Sequence, residues 1–516
     1  MKTLQNLIGG IWEDSRGDAF HEVINPATEE VVARCPSGSP EDARQAVDAA
    51  VRAQPAWAAL PVAERVARLC RWADTITEHA DELAEIECRE MGKPVALGRT
   101  FIAGAAQGFK AAVAEALDYP FEETVTGGTT ILRRPLGATA VIVPWNFPVP
   151  MALGALGPLL AAGDTVVLKP SERSPMSAVR LLELMDPPAG VVNLVLGDSR
   201  AGAPLVADER IGLVHFTGSV EAGRRVGAES GALLHRSILE LGGKDPVVVD
   251  AGVDPVATAA AVAFGAFVNT GQICTSMERI YVHREIAEEF IDALVDVAGT
   301  FALGDGHDAT TVLGPLVDRR QRDIVVRHVN DAVERGATVR TGGTVPEGKG
   351  FFYPATVLTD VDDSMLVMTE ETFGPLAPVA VVSSFEEGLE KAAGTRFGLA
   401  ATVYTNDPAH MIAARGIPAG VVWVNQWQGG GPERLYEPAG DSGMGATGSR
   451  AAYDAATRPV SVHVAPAAPA APATPDTQAT PDTQATPDTQ ATPDAPATPG
   501  APATPGAPGA AGAPGA

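Results

Sequence analysis

The stretch ATAVIVPWNFP, residues 138–148, decides the fold of this chain. Ala138 to Val143 reads as a buried strand, and two prolines bracket the Asn146 that follows it. Because proline fixes its own backbone torsion, the turn that carries Asn146 is expected to be rigid. An Asn side-chain N–H on such a turn is a suitable donor for a developing oxyanion.

Outward from this stretch, the chain alternates between strands and helices. Predicted strands cover residues 138–143, 165–168, 191–196, 213–216 and 237–241, and predicted helices cover residues 151–162, 178–184 and 220–229. Alternation of this kind predicts an α/β fold with a parallel sheet and helices on both faces. In such sheets, ligands bind at the carboxyl ends of the strands.

The flanking segments are predicted from the same signals. Short strands are expected at residues 7–12 and 21–25, and a helix is expected over residues 40–53, with Ser39 as its N-cap. Helical patterns then run over residues 62–91 and 95–119, and an extended strand over residues 129–135.

Polar residues follow three further strands at their carboxyl ends. Lys169 and Glu172 lie three residues apart, which suits a clamp on the ribose hydroxyls of a dinucleotide. The turn that begins at Thr217-Gly218-Ser219 precedes a helix, and such a turn suits a phosphate. Glu240 has apolar neighbours, which predicts a raised pKa and a role as a general base.

Cys274 stands between an apolar helical run, residues 256–268, and a strand-like run, residues 279–282. Such junctions place reactive groups on rigid supports, and Gly271 permits a tight backbone just before the thiol. Taken alone, Cys274 is better explained as a small buried hydrophobic residue. The other strand-end residues have ordinary explanations too, as a turn Asn, a surface ion pair, a βα turn or a solvated Glu. These ordinary explanations do not account for all of them occurring in this order.

Length, net charge and cysteine spacing exclude several classes of function. A length of 516 residues predicts more than one domain, and a net charge of -26 argues against nucleic acid or an anionic membrane as a partner. The four cysteines form no CxxC pair and no metal-ligand spacing, so neither a disulfide scaffold nor a metal site is expected. Without a signal-like start or an 18-residue apolar run, a cytoplasmic protein is expected.

Residues 465–516 differ in composition from everything before them. They consist almost wholly of Ala, Pro, Thr, Gly, Asp and Gln, and the unit Ala-Thr-Pro-Asp-Thr-Gln repeats. Such a segment lacks the apolar surface needed to offset ordering entropy, so a disordered tail is predicted.

Together these motifs resemble those of the NAD(P)-dependent aldehyde dehydrogenase family. The resemblance runs from about residue 8 to about residue 464, and its motifs jointly are highly specific. The matching stretches are PWNFP (144–148), KPSE (169–172), FTGS (216–219), LELGGK (239–244), GQIC (271–274) and EETFGP (370–375).

The resemblance implies a role for each matched residue. It makes Cys274 the nucleophile that forms a thiohemiacetal and then a thioester, and it makes Glu240 the base that activates water. Asn146 would form the oxyanion hole with the backbone N–H of Cys274. The remaining catalytic and cofactor-binding set that it implies is Lys169, Val143, Pro144, Trp145, Ser171, Glu172, Gly218, Ser219, Leu241, Gly242, Glu371 and Phe373. The substrate pocket that it implies comprises Phe147, Met151, Ile273, Thr275 and Trp427.

The family also implies an architecture and a cofactor. An NAD-binding domain would cover residues 1–241, a catalytic domain residues 242–426, and a return segment residues 427–464. Strands near residues 122–137 and at residues 458–464 would form an oligomerisation sheet, which gives a homodimer or a homotetramer. Glu172 would accept a hydrogen bond from NAD and repel the 2′-phosphate of NADP, so NAD is favoured and NADP is the lesser alternative.

The chain departs from the family near its last motif. Many members carry a Pro-Phe-Gly-Gly segment and a Lys there, whereas this chain has EPAGDSG at residues 437–443. Ala439 would thus replace an aromatic wall of the substrate pocket, and the basic residue is gone. Either the pocket is wider, or Trp427 fills the gap.

Two other function classes fit the same fold. A binding protein without catalysis would not need the thiol, the amide and the carboxylate, yet all three are present. A relative that forms acyl-coenzyme A would tend to lack Glu240. Oxidation of an aldehyde to the free acid is therefore predicted, and the sequence does not identify the aldehyde.

Overall fold

Two sheets carry the fold, which is described here from a computed structural model over residues 2–125, 128–429 and 435–464. Within these ranges the strands are β1 (Lys2–Thr3), β2 (Asn6–Ile8), β3 (Ile11–Glu13), β4 (Phe20–Ile24), β5 (Val31–Pro36), β6 (Glu122–Val125), β7 (Thr129–Pro135), β8 (Ala138–Ile142), β9 (Thr165–Lys169), β10 (Val192–Leu194), β11 (Ile211–Thr217), β12 (Arg236–Glu240), β13 (Asp245–Val249), β14 (Met277–His283), β15 (Thr338–Thr341), β16 (Thr356–Thr359), β17 (Leu376–Val382), β18 (Phe397–Gly398), β19 (Ala400–Tyr404), β20 (Val421–Val424), β21 (Ala439–Gly440), β22 (Gly443–Met444) and β23 (Thr457–His463).

Helices cover the faces of these sheets. In the same described ranges they are α1 (Pro40–Ala58), α2 (Val62–Glu78), α3 (Ala80–Met91), α4 (Val95–Ala114), α5 (Pro148–Ala162), α6 (Met176–Met185), α7 (Ser199–Val206), α8 (Val220–Ala232), α9 (Pro255–Phe267), α10 (Ala287–Ala298), α11 (Arg319–Glu334), α12 (Leu366–Thr369), α13 (Phe385–Ala393), α14 (Pro408–Ala413) and α15 (Ser449–Ala456). None of the helices in the described ranges has the length and apolar character needed to cross a membrane.

The first sheet has the order β22-β12-β11-β8-β9-β10-β2-β3. Its five central strands, from β12 to β10, are parallel, and antiparallel strands close both edges. The chain order reverses between β8 and β11, so this is the topological switch point of the sheet. Ligands bind at such points because the loops diverge there and leave a crevice.

The second sheet has the order β15-β16-β17-β14-β13-β19-β20. All of its strands are parallel except β15, and an apolar core of Val, Ile, Ala and Phe side chains packs β13 and β14 against α9 and α10. The predicted α/β class with parallel sheets is confirmed.

A separate antiparallel sheet has the order β23-β7-β6. The strand predicted at residues 458–464 pairs with β7 over its whole length, from Thr457 opposite Pro135 to His463 opposite Thr129. Its solvent exposure alternates along the strand, as expected for an edge strand.

Helix α3 holds the two helices that follow β8 and β9. The carboxylate of Glu87 accepts a hydrogen bond from Val149 N at 3.1 Å, in the first turn of α5. The carboxylate of Glu90 accepts hydrogen bonds from Met176 N and Ser177 N, in the first turn of α6. Each buried carboxylate satisfies helix N-terminal amides that have no partner within their own helix, so α3 fixes the entry of both helices.

Several predicted element limits were wrong. The helix expected over residues 62–91 is two helices, because His79 adopts φ -104° and ψ 16°, outside the helical range. The helix expected to start at Met151 starts at Pro148, since proline fits the first helical position. The helix predicted over residues 95–119 ends at Ala114, followed by a 3₁₀ turn, and α7 was not predicted.

Candidate active site

The loops after β8 and β11 meet at the switch point of the first sheet. Val143 N donates to Lys169 O at 3.1 Å, and Gly218 N donates to Glu240 O at 3.1 Å. The Ser219 hydroxyl caps α8 by accepting from Ala222 N at 3.3 Å. These bonds tie neighbouring strand ends together and place a helix N-terminus beside the crevice.

The loop that carries Cys274 has an unusual backbone. Three consecutive residues have positive φ, namely Asn269 at 52°, Thr270 at 60° and Gly271 at 67°. A Cβ on Gly271 would lie only 2.9 Å from Pro375 N. Both the positive φ and the lack of space for a side chain therefore require glycine at this position. Positive φ costs free energy for the two non-glycine residues, so the surroundings must hold this loop in place.

Two hydrogen bonds hold the cysteine loop from outside. The Thr270 hydroxyl donates to Gly314 O at 3.0 Å, and Gln272 Oε1 accepts from Val317 N at 2.9 Å. The loop thus delivers a half-buried Cys274 on a rigid support, whereas Cys35 and Cys88 are buried. The explanation of Cys274 as an ordinary core residue does not fit this position.

The Asn146 side chain lies against the cysteine loop. Its Nδ2 donates to Gln272 O at 2.9 Å, two residues before the thiol, and the residue is 5% exposed. Asn269 Nδ2 donates to Asn146 O at 3.3 Å, which locks the two loops together. An amide nitrogen carries two hydrogens, so this bond leaves Asn146 one donor for a substrate oxygen.

Glu240 is a buried carboxyl group with one side-chain hydrogen-bond donor among the described residues. Thr447 Oγ1 donates to its Oε1 at 3.0 Å. Burial raises the pKa of Glu240 to about 8, and the hydrogen bond from Thr447 opposes that rise. The predicted raised pKa is confirmed, and the group can take up a proton near neutral pH.

The surroundings of the Cys274 thiol oppose its ionisation. Burial raises its pKa well above the ordinary range, and the charges of Asp245 and Glu240 raise it further. Because only the thiolate is strongly nucleophilic, this thiol needs a neighbouring base to become reactive. That the Glu240 charge acts on the thiol pKa also indicates that the two groups lie close together.

The segment Glu371–Phe373 faces the same region. Glu371 Oε1 accepts from Gly243 N at 3.1 Å, and burial raises the pKa of Glu371 to about 8. Phe373 has a φ of 53° and packs edge-to-face on Trp145, with ring centroids 5.4 Å apart.

A buried ion pair supports that segment from below. Lys244 Nζ lies 2.6 Å from Glu278 Oε2, and both side chains are almost wholly buried. The Glu278 carboxylate also accepts from Thr372 N at 2.8 Å and from Phe373 N at 2.7 Å. The strained Phe373 backbone is therefore held by a charge-assisted network.

Lys169 is buried and does not form the surface ion pair considered as its ordinary explanation. Its Nζ donates to Pro170 O at 2.8 Å and to Gly197 O at 2.6 Å. Burial lowers the pKa of Lys169, while the nearby Glu172 charge raises it. Ser171 Oγ accepts from Arg173 N at 3.3 Å within the same turn. In the described residues no hydrogen bond joins Lys169 to Cys274, Glu240 or Asn146, so its catalytic role stays a prediction.

An apolar cluster adjoins the cysteine loop. Phe147, Val268 and Ile273 form its buried part, and the half-buried side chains packed against them include Met151 and Trp427. Four of the five predicted pocket residues therefore lie together, and the fifth, Thr275, is hydrogen bonded to the cluster: Trp427 Nε1 donates to Thr275 O at 3.0 Å.

Ala439 and Trp427 are the two positions that bear on the departure near the last motif. Ala439 lies in β21, paired with Gly398 of β18. Trp427 packs edge-to-face on Phe264, with centroids 5.9 Å apart, and takes up apolar space beside Ile273. Arg434, which belongs to the same connecting loop, lies outside the described residues, as does the predicted tail at residues 465–516.

Several functional contacts escaped the sequence analysis. Asn269, Thr447 and Glu278 hold the amide, the carboxylate and the Phe373 segment through side-chain hydrogen bonds. The only signal in the sequence was the position of Asn269 two residues before the motif GQIC. Thr447 and Glu278 stand in stretches without any motif.

Fold and site together define a class of protein: an α/β protein whose dinucleotide-type sheet has, after β8, an Asn hydrogen bonded to a loop that carries a half-buried cysteine. The sequence matches the family described as "Aldehyde dehydrogenase family" over residues 12–462. The chain belongs to this family.

The similar proteins agree with that assignment. Lactaldehyde dehydrogenase of Escherichia coli (strain K12) is 37% identical over 429 residues, which cover 81% of this chain and 90% of the relative. Phenylacetaldehyde dehydrogenase of Pseudomonas fluorescens is 36% identical over 480 residues, which cover 89% and 96%. The NAD⁺ complex of an aldehyde dehydrogenase from Bacillus cereus has a TM-score of 0.86 and 34% identity, and the match covers 89% of this chain and 96% of that one.

The chain is thus an NAD(P)-dependent aldehyde dehydrogenase that oxidises an aldehyde to the carboxylic acid. The reaction proceeds through a cysteine-bound thiohemiacetal and thioester, and the nicotinamide supplies the hydride acceptor. NAD is the cofactor that these relatives support.

The residues at the switch point fit a dinucleotide. The buried Thr217 hydroxyl, at the end of β11, has no hydrogen-bond partner in the described part of the chain. The next residues are Gly218 and the exposed Ser219 at the N-terminus of α8, where backbone N–H groups attract phosphate. Trp145, in the loop after β8, and Phe373 add an aromatic pair.

Proposed function

We propose that Cys274 is the nucleophile and that Asn146 is the side-chain donor of the oxyanion hole. This proposal rests on one hydrogen bond: the Asn146 side-chain amide donates to Gln272 O at 2.9 Å, inside the loop that presents the thiol. The thiolate attacks the aldehyde carbon, and the carbonyl electron pair moves to the oxygen. The remaining Asn146 N–H and the backbone N–H of Cys274 stabilise that charge.

Glu240 acts twice in this proposal. Its carboxylate first takes the thiol proton, which the buried thiol does not release unaided. Glu240 then releases this proton to solvent and is a carboxylate again. After loss of hydride leaves a thioester, Glu240 takes a proton from water, and the hydroxide attacks the thioester carbonyl. The acid leaves and the Cys274 thiolate is restored, so atoms and charges balance.

The cofactor contacts in this proposal belong to the strand-end loops. Lys169, Ser171 and Glu172 hold the adenosine ribose, and Ser219 faces the pyrophosphate. Glu371 and Phe373 hold the nicotinamide ribose and ring. Neighbouring positions complete the set: Val143, Pro144, Trp145, Gly218, Leu241 and Gly242. The half-buried Glu172, whose charge acts on the Lys169 ammonium, supports a preference for NAD over NADP.

The substrate in this proposal is an uncharged aldehyde with an apolar substituent. The described residues of the pocket cluster carry no free cation to neutralise a carboxylate, and Lys93, over the Phe147 ring, is already paired with Glu87. The phenylacetaldehyde and lactaldehyde named for two relatives are uncharged, whereas succinate semialdehyde, named for another, carries a carboxylate.

Kinetics of the wild-type enzyme test this assignment. We expect kcat/KM for phenylacetaldehyde to exceed that for succinate semialdehyde by at least tenfold, and kcat/KM with NAD to exceed that with NADP. The Cys274→Ala variant should bind NAD and lose turnover with every aldehyde. Wild-type turnover in that variant would overturn the nucleophile assignment, and a preference for the semialdehyde would overturn only the pocket assignment.

The proposal also includes an organisation of the chain. Residues 1–241 form the NAD-binding domain, residues 242–426 the catalytic domain and residues 427–464 the return segment. The sheet β23-β7-β6, whose edge strands β6 and β23 carry mostly exposed residues, supports a homodimer or homotetramer. The proposed location of the enzyme is the cytoplasm.

A further inference from the structure

Outside the active site, a cysteine, an aspartate and a histidine converge on one point. Cys88 lies in the last turn of α3, and Asp305 and His307 lie in the loop after α10. Cys88 Sγ is 3.5 Å from His307 Nδ1, and Asp305 Oδ1 is 2.7 Å from the same nitrogen. One ligand-type atom from each residue lies within 4.8 Å of the others.

A fourth residue orients the histidine ring. Glu85, one turn before Cys88 on α3, places Oε2 3.2 Å from His307 Nε2. In metal sites the ligating histidine donates its second ring N–H to a carboxylate, which fixes the ring and makes the first nitrogen more basic. The two nitrogens of His307 face partners in this arrangement.

The backbone around the cluster is fixed. Gly304 N donates to Leu313 O at 3.1 Å, and Val95 N donates to Gly306 O at 3.0 Å. Gly306 packs so close that a Cβ there would lie 2.7 Å from Cys88 Sγ. Cys88 is 2% exposed, whereas the His307 and Asp305 side chains are 35% and 42% exposed, so the cluster is rigid inside and open to solvent outside.

We propose that Cys88 Sγ, His307 Nδ1 and an Asp305 carboxylate oxygen bind Zn²⁺, with water in the fourth position and Glu85 as the positioning residue. Tetrahedral zinc with bonds of about 2.3 Å to sulfur and about 2.0 Å to nitrogen separates those donors by about 3.5 Å. The Cys88–His307 separation has this value. Thiolate and imidazole donors select zinc over magnesium or calcium.

Binding exchanges protons for the metal without any redox step. The thiol loses its proton to solvent, and His307 coordinates through Nδ1 with its proton on Nε2, toward Glu85. Asp305 then exchanges its hydrogen bond at Nδ1 for a bond to the metal. Cys88 and His307 are 219 residues apart in the sequence, so cysteine spacing gives no sign of this cluster.

The metal would join the two segments that support the active site. On one side, α3 carries Glu87, which holds the start of α5 just after Asn146. On the other side, the loop with Asp305 and His307 leads to Gly314, which holds Thr270 before Cys274. A metal crosslink here stabilises the native state by mass action and takes no part in the chemistry.

Cobalt titration tests the site directly. Full-length Cys274→Ala protein, freed of metal with a chelator, removes the active-site thiol as a competitor. We expect one equivalent of Co²⁺ to bind with a thiolate-to-cobalt charge-transfer absorption in the near ultraviolet, and one equivalent of Zn²⁺ to displace it. Adding Cys88→Ala should abolish the absorption, and adding His307→Ala should weaken binding at least tenfold.

Two control variants and a measurement of the melting temperature show whether the proposed residues bind the metal. Cys70→Ala removes a half-buried cysteine on α2, and His79→Ala removes a histidine paired with Glu82, so both should leave the titration unchanged. In wild type, Zn²⁺ should raise the Tm, and Asp305→Asn should reduce that rise. The proposal fails if Cys88→Ala retains the absorption, if Cys70→Ala removes it, or if wild type shows no saturable binding and no rise in Tm.

Discussion

At the residue scale, Glu240 separates two halves of the reaction. Thioester hydrolysis needs an activated water, and general-base assistance is typically worth about 10²–10⁴-fold. Glu240→Gln keeps the shape of the side chain and removes the basic oxygen. We expect steady-state turnover to fall by that factor, while about one equivalent of NADH per active site still forms, measured by stopped-flow absorbance.

Mass spectrometry of the same variant provides the control. An acyl group on Cys274 should accumulate after mixing with aldehyde and NAD. If turnover is slow but neither a burst nor an adduct forms, the variant is blocked at thiol deprotonation, before hydride transfer, and the expectation that deacylation limits its turnover is wrong.

The pH dependence of turnover follows from the pKa of Glu240. Burial raises that pKa to about 8, so the carboxyl group is mainly neutral at pH 7 and becomes a base as the pH rises. Below pH 8 we expect kcat to increase about tenfold per pH unit and then to level off. A kcat that is flat between pH 6 and pH 9 would contradict this assignment.

Thr447 tunes the same carboxylate. Its hydroxyl hydrogen bond at 3.0 Å favours the charged form of Glu240, and bonds to charged groups are worth about 1.5–3 kcal/mol. Thr447→Val should therefore move the midpoint of the kcat profile up by about one pH unit, whereas Thr447→Ser should restore it. Equal midpoints for all three proteins would exclude this role.

The limits of sequence-based prediction are visible at these residues. The positions of Cys274, Asn146 and Glu240 near the ends of elements were predictable, because each stands in a distinctive motif; their catalytic roles stay predictions. Their partners were not, since Asn146 meets Gln272 across 126 residues and Glu240 meets Thr447 across 207. Spacing along the chain carries no information about such contacts until the fold is known.

At the element scale, the strand ends were predictable and several helix limits were not. Apolar runs followed by Gly, Pro or polar residues identify β8, β9, β11 and β12 within one or two residues. The break between α2 and α3 falls at His79, where no Gly or Pro marks the change, so a continuous apolar periodicity conceals it.

The buried ion pair of Lys244 and Glu278 leads to a stability prediction. Replacing Glu278 by Gln leaves the Lys244 ammonium buried without its counter-ion, and breaking such pairs costs about 3–5 kcal/mol. We expect the free energy of unfolding in urea to fall by this amount. The exposed Arg340–Asp292 pair is the matched control, because Asp292→Asn at the surface should change the stability by less than about 1 kcal/mol. Equal losses in both variants would contradict the argument.

At the scale of the whole molecule, the sheet β23-β7-β6 is the candidate site of assembly. Val460 and Val462 are half-buried on the edge strand β23, and Val460 lies opposite Leu132. The double variant Val460→Lys/Val462→Lys places two charges there. We expect light scattering coupled to size exclusion to give the monomer mass for this variant and a multiple of it for wild type.

A lysine substitution at an exposed valine elsewhere is the control for the effect of added charge on the measured mass. Val333→Lys on α11, where the side chain is already 46% exposed, should leave the mass unchanged. If the double variant keeps the wild-type mass, the oligomer uses another surface.

The attachment of Trp427 has an evolutionary consequence. In the described part of the chain, the hydrogen bonds from Trp427 and Gln428 to the cysteine loop go to Thr275, at its carbonyl and its hydroxyl, whereas the thiol, amide and carboxylate come from other elements. Selection for a new aldehyde substrate can therefore change the sequence of this short segment, while the residues that carry the thiol, the amide and the carboxylate are inherited unchanged. A laboratory library restricted to these two positions should diversify substrate choice with few inactive clones, because substrate choice and catalysis depend on different residues of this chain.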